Sequence, residues 1–254
     1  MTFDMTFEAI AHIESCYPER FGIPRQAGLV PSAPADIVFA ATEFNKLAVR
    51  GLEQCSHLWV VFIFHDQPFK TAKPLVQPPR LGGRKTMGVY ATRSPNRPNP
   101  IGLSVVELVG ITTVKRTLRL RVRGGDFLDG TPVLDIKPYI PYADAIATAT
   151  TWAAAAETRL PVRWSDSAIA TLYHSYADES AQAAIQCLIA ETIAQDPRPA
   201  HERGKDGNPG QEWNLQVQEF SVFWTVAQQQ AIITRLVKKI KVKELGRSRQ
   251  NPLG

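Results

Sequence analysis

Between Phe7 and Ile136 the chain offers one strand-length segment after another and nothing long enough to serve as a crossover helix. The clearest is Thr117–Arg123, TLRLRVR, in which Leu118, Leu120 and Val122 alternate with Arg119, Arg121 and Arg123. A period of two gives a strand one apolar face and one arginine face. His57–His65, HLWVVFIFH, is apolar throughout between its histidines and reads as a strand buried on both faces. Phe7–Ser15, Ile37–Ala41, Lys85–Thr92, Ile101–Val109 and Val133–Ile136 read as further strands, and Asn45–Leu52 as a turn or short helix. Parallel neighbours would need crossovers of a dozen residues or more. Without them, a sheet closed on itself is the natural solution, and a barrel is expected.

The composition shifts after Ala143. Residues 143–156 are rich in alanine and threonine and read as a connector or short helix. Ser165-Asp166-Ser167 offers an N-cap for a helix over Ala168–Tyr176, and Glu179–Ala194 has helical spacing that Pro197 stops. Leu215–Val226 and Ile232–Val242 read as strands. The expected organisation is a mainly β, barrel-like N-terminal domain over 1–157 and a small α+β domain over 158–254.

The stretch 91–104, ATRSPNRPNPIGLS, joins two of the expected strands. Pro95, Pro98 and Pro100 fix φ and keep the residues before them extended, so Arg93 and Arg97 sit on a stiff frame. Such stiffness suits a binding loop better than a linker. From Gln67 to Val106 there is no acid and there are seven cations, Arg84, Lys85, Arg93 and Arg97 among them, in a chain whose net charge is only +5. A second cluster runs over 115–123, and a third, with Lys239 and Lys241, over 235–249. Guanidinium forks suit phosphates, and basic patches attract polyanions. The acid-free window reads as a site for a phosphate-rich ligand; the terminal run reads equally as a solvated face.

Other chemistry is not signalled. No apolar run is long enough to span a bilayer, and MTFDMTFEAI lacks the basic and apolar regions of a signal peptide, so a cytoplasmic protein is expected. Cys16, Cys55 and Cys187 are odd in number and widely spaced, and the five histidines lack metal-ligand spacing. There is no Gly-x-Gly-x-x-Gly and no phosphate-binding Gly-Lys loop; Ser94 and Ser104 lack a nucleophile-elbow context. His65 and Asp66 end the apolar strand where the acid-free window begins. Asp126, Asp129 and Asp135 are the few acids among the arginines; Asp129-Gly130 reads as a tight turn. Asp135 either pairs with Lys137 or a nearby arginine, or accepts a hydrogen bond from a ligand hydroxyl or an activated N–H. Tyr139 and Tyr142, flanking Pro141, offer a stacking surface or turn packing.

Four segments, GIPRQAGLVP (22–31), GLEQCSHLWVVFIFH (51–65), PPRLGGRKTMGVYATRSPNRPNPIGLS (78–104) and DGTPVLDIKPYIPYAD (129–144), together closely resemble one family. It is the bacterial tRNA N6-threonylcarbamoyladenosine methyltransferases, which use S-adenosylmethionine. A looser likeness continues from Asp196-Pro197-Arg198-Pro199. The resemblance implies a β-barrel methyltransferase unrelated to the Rossmann type, acting as a homodimer. It implies methylation of N6 in threonylcarbamoyladenosine at position 37, beside the anticodon of threonine tRNA. It also implies a methyl-donor site made by Pro24, Arg25 and Gln26, by His65 and Asp66, by Arg93 and Leu103, and by the turn Asp129, Gly130 and Thr131. The family usually carries Gln after the histidine; Asp66 replaces an amide donor by an acceptor-only group. Asp135 is the candidate base, and Arg84, Lys85, Arg97, Lys239 and Lys241 are the candidate contacts to tRNA. A noncatalytic RNA-binding module using the same basic faces is the alternative.

Overall fold

The structure, a computed structural model, describes residues 6–66, 72–81, 85–153 and 159–239. In chain order its elements are β1 (Ala11–Ser15), β2 (Pro34–Ala40), α1 (Glu43–Ala48), β3 (His57–Ile63), β4 (Leu75–Val76), β5 (Met87–Gly88), β6 (Ile101–Val114), β7 (Thr117–Arg123), β8 (Pro132–Pro138) and α2 (Pro141–Asp144). After these come β9 (Val162–Trp164), α3 (Asp166–Ser175), α4 (Glu179–Ala194), β10 (Trp213–Val217), β11 (Phe220–Ala227) and β12 (Gln230–Lys238). The expected boundary near 157 falls outside the described residues.

Six antiparallel strands close into a barrel in the order β1-β2-β7-β6-β3-β8, with β8 returning to β1. Alternation sends Leu118, Leu120 and Val122 of β7 inward, where they meet Ile13, Ile37, Leu58 and Val60. β3 differs from expectation. Leu58, Val60 and Phe62 are buried while Trp59, Val61 and Ile63 remain partly exposed, so only one face is in the core.

The outward arginines of β7 are not an anion-binding stripe. Arg119 pairs with Glu14 and Asp36, Arg121 with Asp36 at 3.2 Å, and Arg123 with Glu107 at 2.8 Å. These acids stand on neighbouring strands, placed there by registers such as Asp36↔Arg121 and Glu107↔Arg123. The expected strand over Lys85–Thr92 shrinks to β5, because Pro74, Pro78 and Pro79 flank its partner β4 and cannot donate to a longer ladder. β6 runs past the expected Val109; its register with β7 shifts between Leu108 and Gly110, where a glycine accommodates the bulge.

The second sheet has the order β10-β11-β12-β9, with β9 parallel to β12. α3 and α4 contribute to the core that this sheet shares. α4 has the expected span, capped by Asp178 accepting from the Ala181 amide at 2.8 Å; Ser165 caps α3 in the same way, accepting from the Ala168 amide at 3.2 Å. The single strand expected over Leu215–Val226 is a hairpin turning at Gln218-Glu219, and a second turn falls at Gln228-Gln229. Gln218, Gln228 and Gln229 have φ of 50°, 51° and 54°. Tight hairpins demand positive φ, which Asn and Gly usually supply, so glutamines hid both turns.

The connection 16–34 belongs to both halves. Cys16, Tyr17, Val30 and Ala33 are buried in the core of the second sheet and its helices. The Tyr17 hydroxyl lies 3.2 Å from that of Thr192, Glu191 accepts from the Ser32 amide and hydroxyl, and Gln195 donates to the Leu29 carbonyl. Among the described residues, no helix is long and apolar enough to cross a membrane.

Candidate active site

Where β3 ends and β6 begins, the barrel mouth opens into a cavity of about 650 Å³, a size suited to a small ligand. Its floor is part of the barrel interior: Phe62 and Phe64, Gly102 and Ser104 of β6, and Asp126. The connection 16–34 supplies one wall with Arg20, Ile23, Pro24, Arg25 and Gln26. The proline-rich loop supplies the other with Thr92, Arg93, Pro95, Arg97 and Asn99.

Both walls are tied down. Phe64 N–H donates to the Pro100 carbonyl at 2.8 Å, extending the β3–β6 pairing into the proline loop. Within that loop, Ser94 N–H donates to Thr92 Oγ1 and Asn96 N–H to Ser94 Oγ. Gly28 N–H donates to the Gly124 carbonyl at 2.8 Å, which fixes the opposite wall to the end of β7. Arg93 Nη1 donates to Gln26 Oε1 and so links the two walls across the cavity. Arg20 Nε lies 3.3 Å from Asp66 Oδ2, holding the same wall to the end of β3.

Pro24, Arg25, Gln26, His65, Asp66, Arg93, Leu103 and Thr131 thus come together around one cavity although the sequence spreads them over a hundred positions. Asp129 lines an adjoining recess, accepting from the Ser15 amide at 2.8 Å. Gly130 has φ +79°, and a Cβ on it would stand 3.9 Å from His65 Nε2. Asp66 meets Arg20 through its carboxylate, an acceptor's role that the amide of Gln could not fill with the same charge. Arg97 is not extended at the loop tip: Nη1 donates to the carbonyls of Thr92 (3.3 Å) and Ser94 (3.5 Å), folding the side chain back on its own loop.

Asp135 is not brought to the cavity. Lys137 Nζ lies 2.5 Å from its Oδ2, and the Ile136 amide donates to its Oδ1. The ion-pair alternative is the one the structure contains, and Asp135 is absent from the cavity lining. Lys85 and Lys239 are exposed and outside the cavity lining. Arg84 and Lys241 lie outside the described residues.

In the sequence Ser104 is a serine without nucleophile context and Asp126 an acid among arginines, and neither is placed in the site. Ser104 Oγ donates to Asp126 Oδ1 at 2.6 Å at the cavity floor. Burial pushes the Asp126 carboxyl above the ordinary carboxylate range; the Ser104 hydroxyl, the amides of Asp126 and Ala27, and the charge of Arg93 pull the other way without cancelling it. The available signal was periodicity: Ser104 shares the inward face of β6 with Gly102 and Val106, and a polar residue on a buried face needs a partner.

A closed antiparallel barrel, with a partly apolar cavity at its mouth walled by arginines, defines a ligand-binding barrel protein outside the Rossmann architecture. The match is specific: the tRNA-methyltransferase O N-terminal domain covers residues 12–145 and the TrmO C-terminal domain residues 157–239. The chain belongs to the tRNA-methyltransferase O family. It is 41% identical over 225 residues to the tRNA (adenine(37)-N6)-methyltransferase of Escherichia coli K12, covering 87% of this chain and 92% of that protein. It is 42% identical over 216 residues to RcsF of Pseudomonas aeruginosa PAO1, a protein named for S-adenosylmethionine-dependent methyltransferase activity, covering 85% and 90% of the two. A crystal structure of TrmO from Pseudomonas aeruginosa superposes with a TM-score of 0.73 at 34% identity, covering 92% of this chain and 99% of that one.

Proposed function

We propose that the chain is an S-adenosylmethionine-dependent tRNA methyltransferase acting on N6 of the adenosine at position 37, and that its substrate is threonylcarbamoyladenosine in threonine tRNA. The observation that carries the reading is the convergence of Pro24–Gln26, His65, Arg93, Leu103 and Thr131 on one cavity. The cavity suits a donor bearing a carboxylate, an adenine and a sulfonium. Arg25 and Arg93 would hold the carboxylate, and the backbone near Leu103 and Gly130 would meet the adenine edge. Phe62 and Phe64 make part of the floor apolar. Bound there, the donor supplies an electrophilic methyl group.

The remaining cationic wall favours phosphate and carboxylate groups on the substrate side. Lys85, Arg97, Lys239 and the residues 84 and 241 are assigned to the tRNA side of this reading. The enzyme works as a homodimer in the cytoplasm. A noncatalytic RNA-binding role explains neither the cavity at the barrel mouth nor the enzyme names of the relatives.

The test is mass spectrometry of nucleosides from threonine tRNA after incubation with the protein and S-adenosylmethionine. Threonylcarbamoyladenosine is expected to gain one methyl group while unmodified adenosine 37 gains none. Methylation of both substrates would remove the specificity for the threonylcarbamoyl group, and methylation of neither would remove the enzyme reading.

A further inference from the structure

We infer that Asp126 is the base that receives the N6 proton of the target nucleoside, with Ser104 as the residue that positions it; this rests on the methyl transfer proposed above. A nitrogen conjugated to a purine and a carbamoyl group is a poor nucleophile until it loses its proton, so an acceptor within reach is worth a large factor in rate. The other acids that line the cavity or its adjoining recess are already engaged, Glu19 by accepting from the Gln216 amide at 3.0 Å. Asp66 faces Arg20, Asp129 takes the Ser15 amide, and Asp135 faces Lys137. Asp126 lines the floor, and its partners are neutral donors: the Ser104 hydroxyl and the amides of Asp126 and Ala27.

Arg93, the cation whose charge acts on Asp126, spends its Nη1 donor on Gln26. The carboxylate is therefore held and oriented without being neutralised by a direct ion pair. Its surroundings also make it a stronger base than an exposed carboxylate, because burial raises the energy of its ionised form. The charged groups facing this space are Arg93 and Arg97 of the proline loop, Arg20 and Arg25 of the opposite wall, and His65 and Asp66 at the end of β3.

In the step itself, N6 forms a bond to the methyl carbon as the carbon–sulfur bond of the sulfonium breaks. The electron pair of that bond stays on sulfur, giving a thioether. The N6 proton passes to Asp126, which leaves the reaction as a neutral carboxylic acid and returns its proton to water when the product departs.

The experiment uses the full chain, threonine tRNA carrying threonylcarbamoyladenosine, and single-turnover methyl transfer measured against pH. Binding of S-adenosylmethionine by calorimetry and of tRNA by filter retention is measured in parallel. Asp126→Asn, nearly isosteric and still able to accept from Ser104, should slow transfer roughly 100-fold or more and leave both affinities within a few-fold. Ser104→Ala should move the acidic limb of the rate profile to higher pH, because the lost hydroxyl favoured the ionised carboxylate. A limb owned by His65 would stay in place.

Asp126→Asn that transfers methyl at the wild-type rate overturns the assignment. So does a parallel loss of donor binding and rate, which would make Asp126 a donor-binding group. An acidic limb unmoved in Ser104→Ala also overturns it. Wild-type protein that binds the donor yet methylates no tRNA overturns the functional reading, and the base with it.

Discussion

Gly102 is the position where a single added carbon tests how the cavity floor is built. It sits on the inward face of β6, opposite Phe62 in the β3–β6 register. A Cβ built there would fall within 3 Å of three atoms of the Phe62 ring, with even the third, Cε1, at 2.7 Å. To reach ordinary carbon–carbon separation of about 3.5 Å the ring must retreat by roughly 1 Å. Phe64 and Phe127 block the retreat, each edge-on to Phe62 at a centroid distance of 5.1 Å. Overpacking of this kind costs about 1–3 kcal/mol. Against it stands the ~0.5–1 kcal/mol gained when Ala replaces Gly within a strand. The clash wins, for a net loss of about 1–2 kcal/mol. In a chain of this size that lowers the melting temperature by roughly 2–8 °C. The displaced ring also enters the cavity, so donor affinity should fall. The assay is thermal melting and donor calorimetry on Gly102→Ala, Phe62→Leu and the double variant. The alanine should cost markedly less in the Phe62→Leu background. Gly102→Ala that melts at or above wild type, or an identical cost in both backgrounds, would show that the ring does not fix this wall.

Charge at the site and on the surface gives further outcomes. Arg93→Ala should weaken S-adenosylmethionine binding without lowering the melting temperature, since the Arg93 side chain is exposed and its hydrogen bond runs to Gln26 on the opposite wall rather than into either core; unchanged affinity by calorimetry would take Arg93 out of the donor site. Asp126 has a carboxyl raised above its ordinary 3.8, so the folded state binds its proton more tightly and loses stability as pH rises through the window above that value. Asp126→Asn removes this loss: the variant should gain on wild type in thermal melts between acidic and neutral pH, and a constant difference across that range would contradict the burial of the charge. Neutralising Lys239 and Lys241 together should weaken tRNA binding for every sequence and lower the slope of log K against log salt by about 1 for each phosphate left unneutralised; an unaltered slope would return both to solvent.

The parts of the fold that the sequence disclosed are those in which a local period decides. Thr117–Arg123 is a strand because leucines and arginines alternate, and Glu179–Ala194 is a helix with a proline just beyond it. The barrel follows from the absence of crossover helices. What stayed hidden depends on partners far away in the chain. The arginines of β7 looked like an anion site because Glu14, Asp36 and Glu107, which occupy them, lie on other strands. The outer face of β3 looked buried because Trp59, Val61 and Ile63 are as apolar as the inward Leu58, Val60 and Phe62. Around the site, the residues from 24–26, 65–66, 93 and 103 came from resemblance to a family, and the structure places them about one cavity. Nothing local separates Asp126 from Asp135, two aspartates near the ends of strands. Only the fold shows that one meets the cavity floor and the other a lysine.

The connection 16–34 gives the two lobes a shared fate. Its ends are embedded in the C-terminal core through Tyr17 and Val30, each only 1% exposed, while its middle forms the cavity wall. The smaller lobe is then less an appendage than the backing plate of that wall. Removing the second lobe would expose Tyr17 and Val30 and free the segment that carries Arg25 and Gln26. Ligand occupancy, conversely, should be felt as slower amide exchange in α4, whose Glu191 and Thr192 grip the far side of the same segment. Natural variation in the second lobe can therefore tune the first without touching a residue that meets substrate.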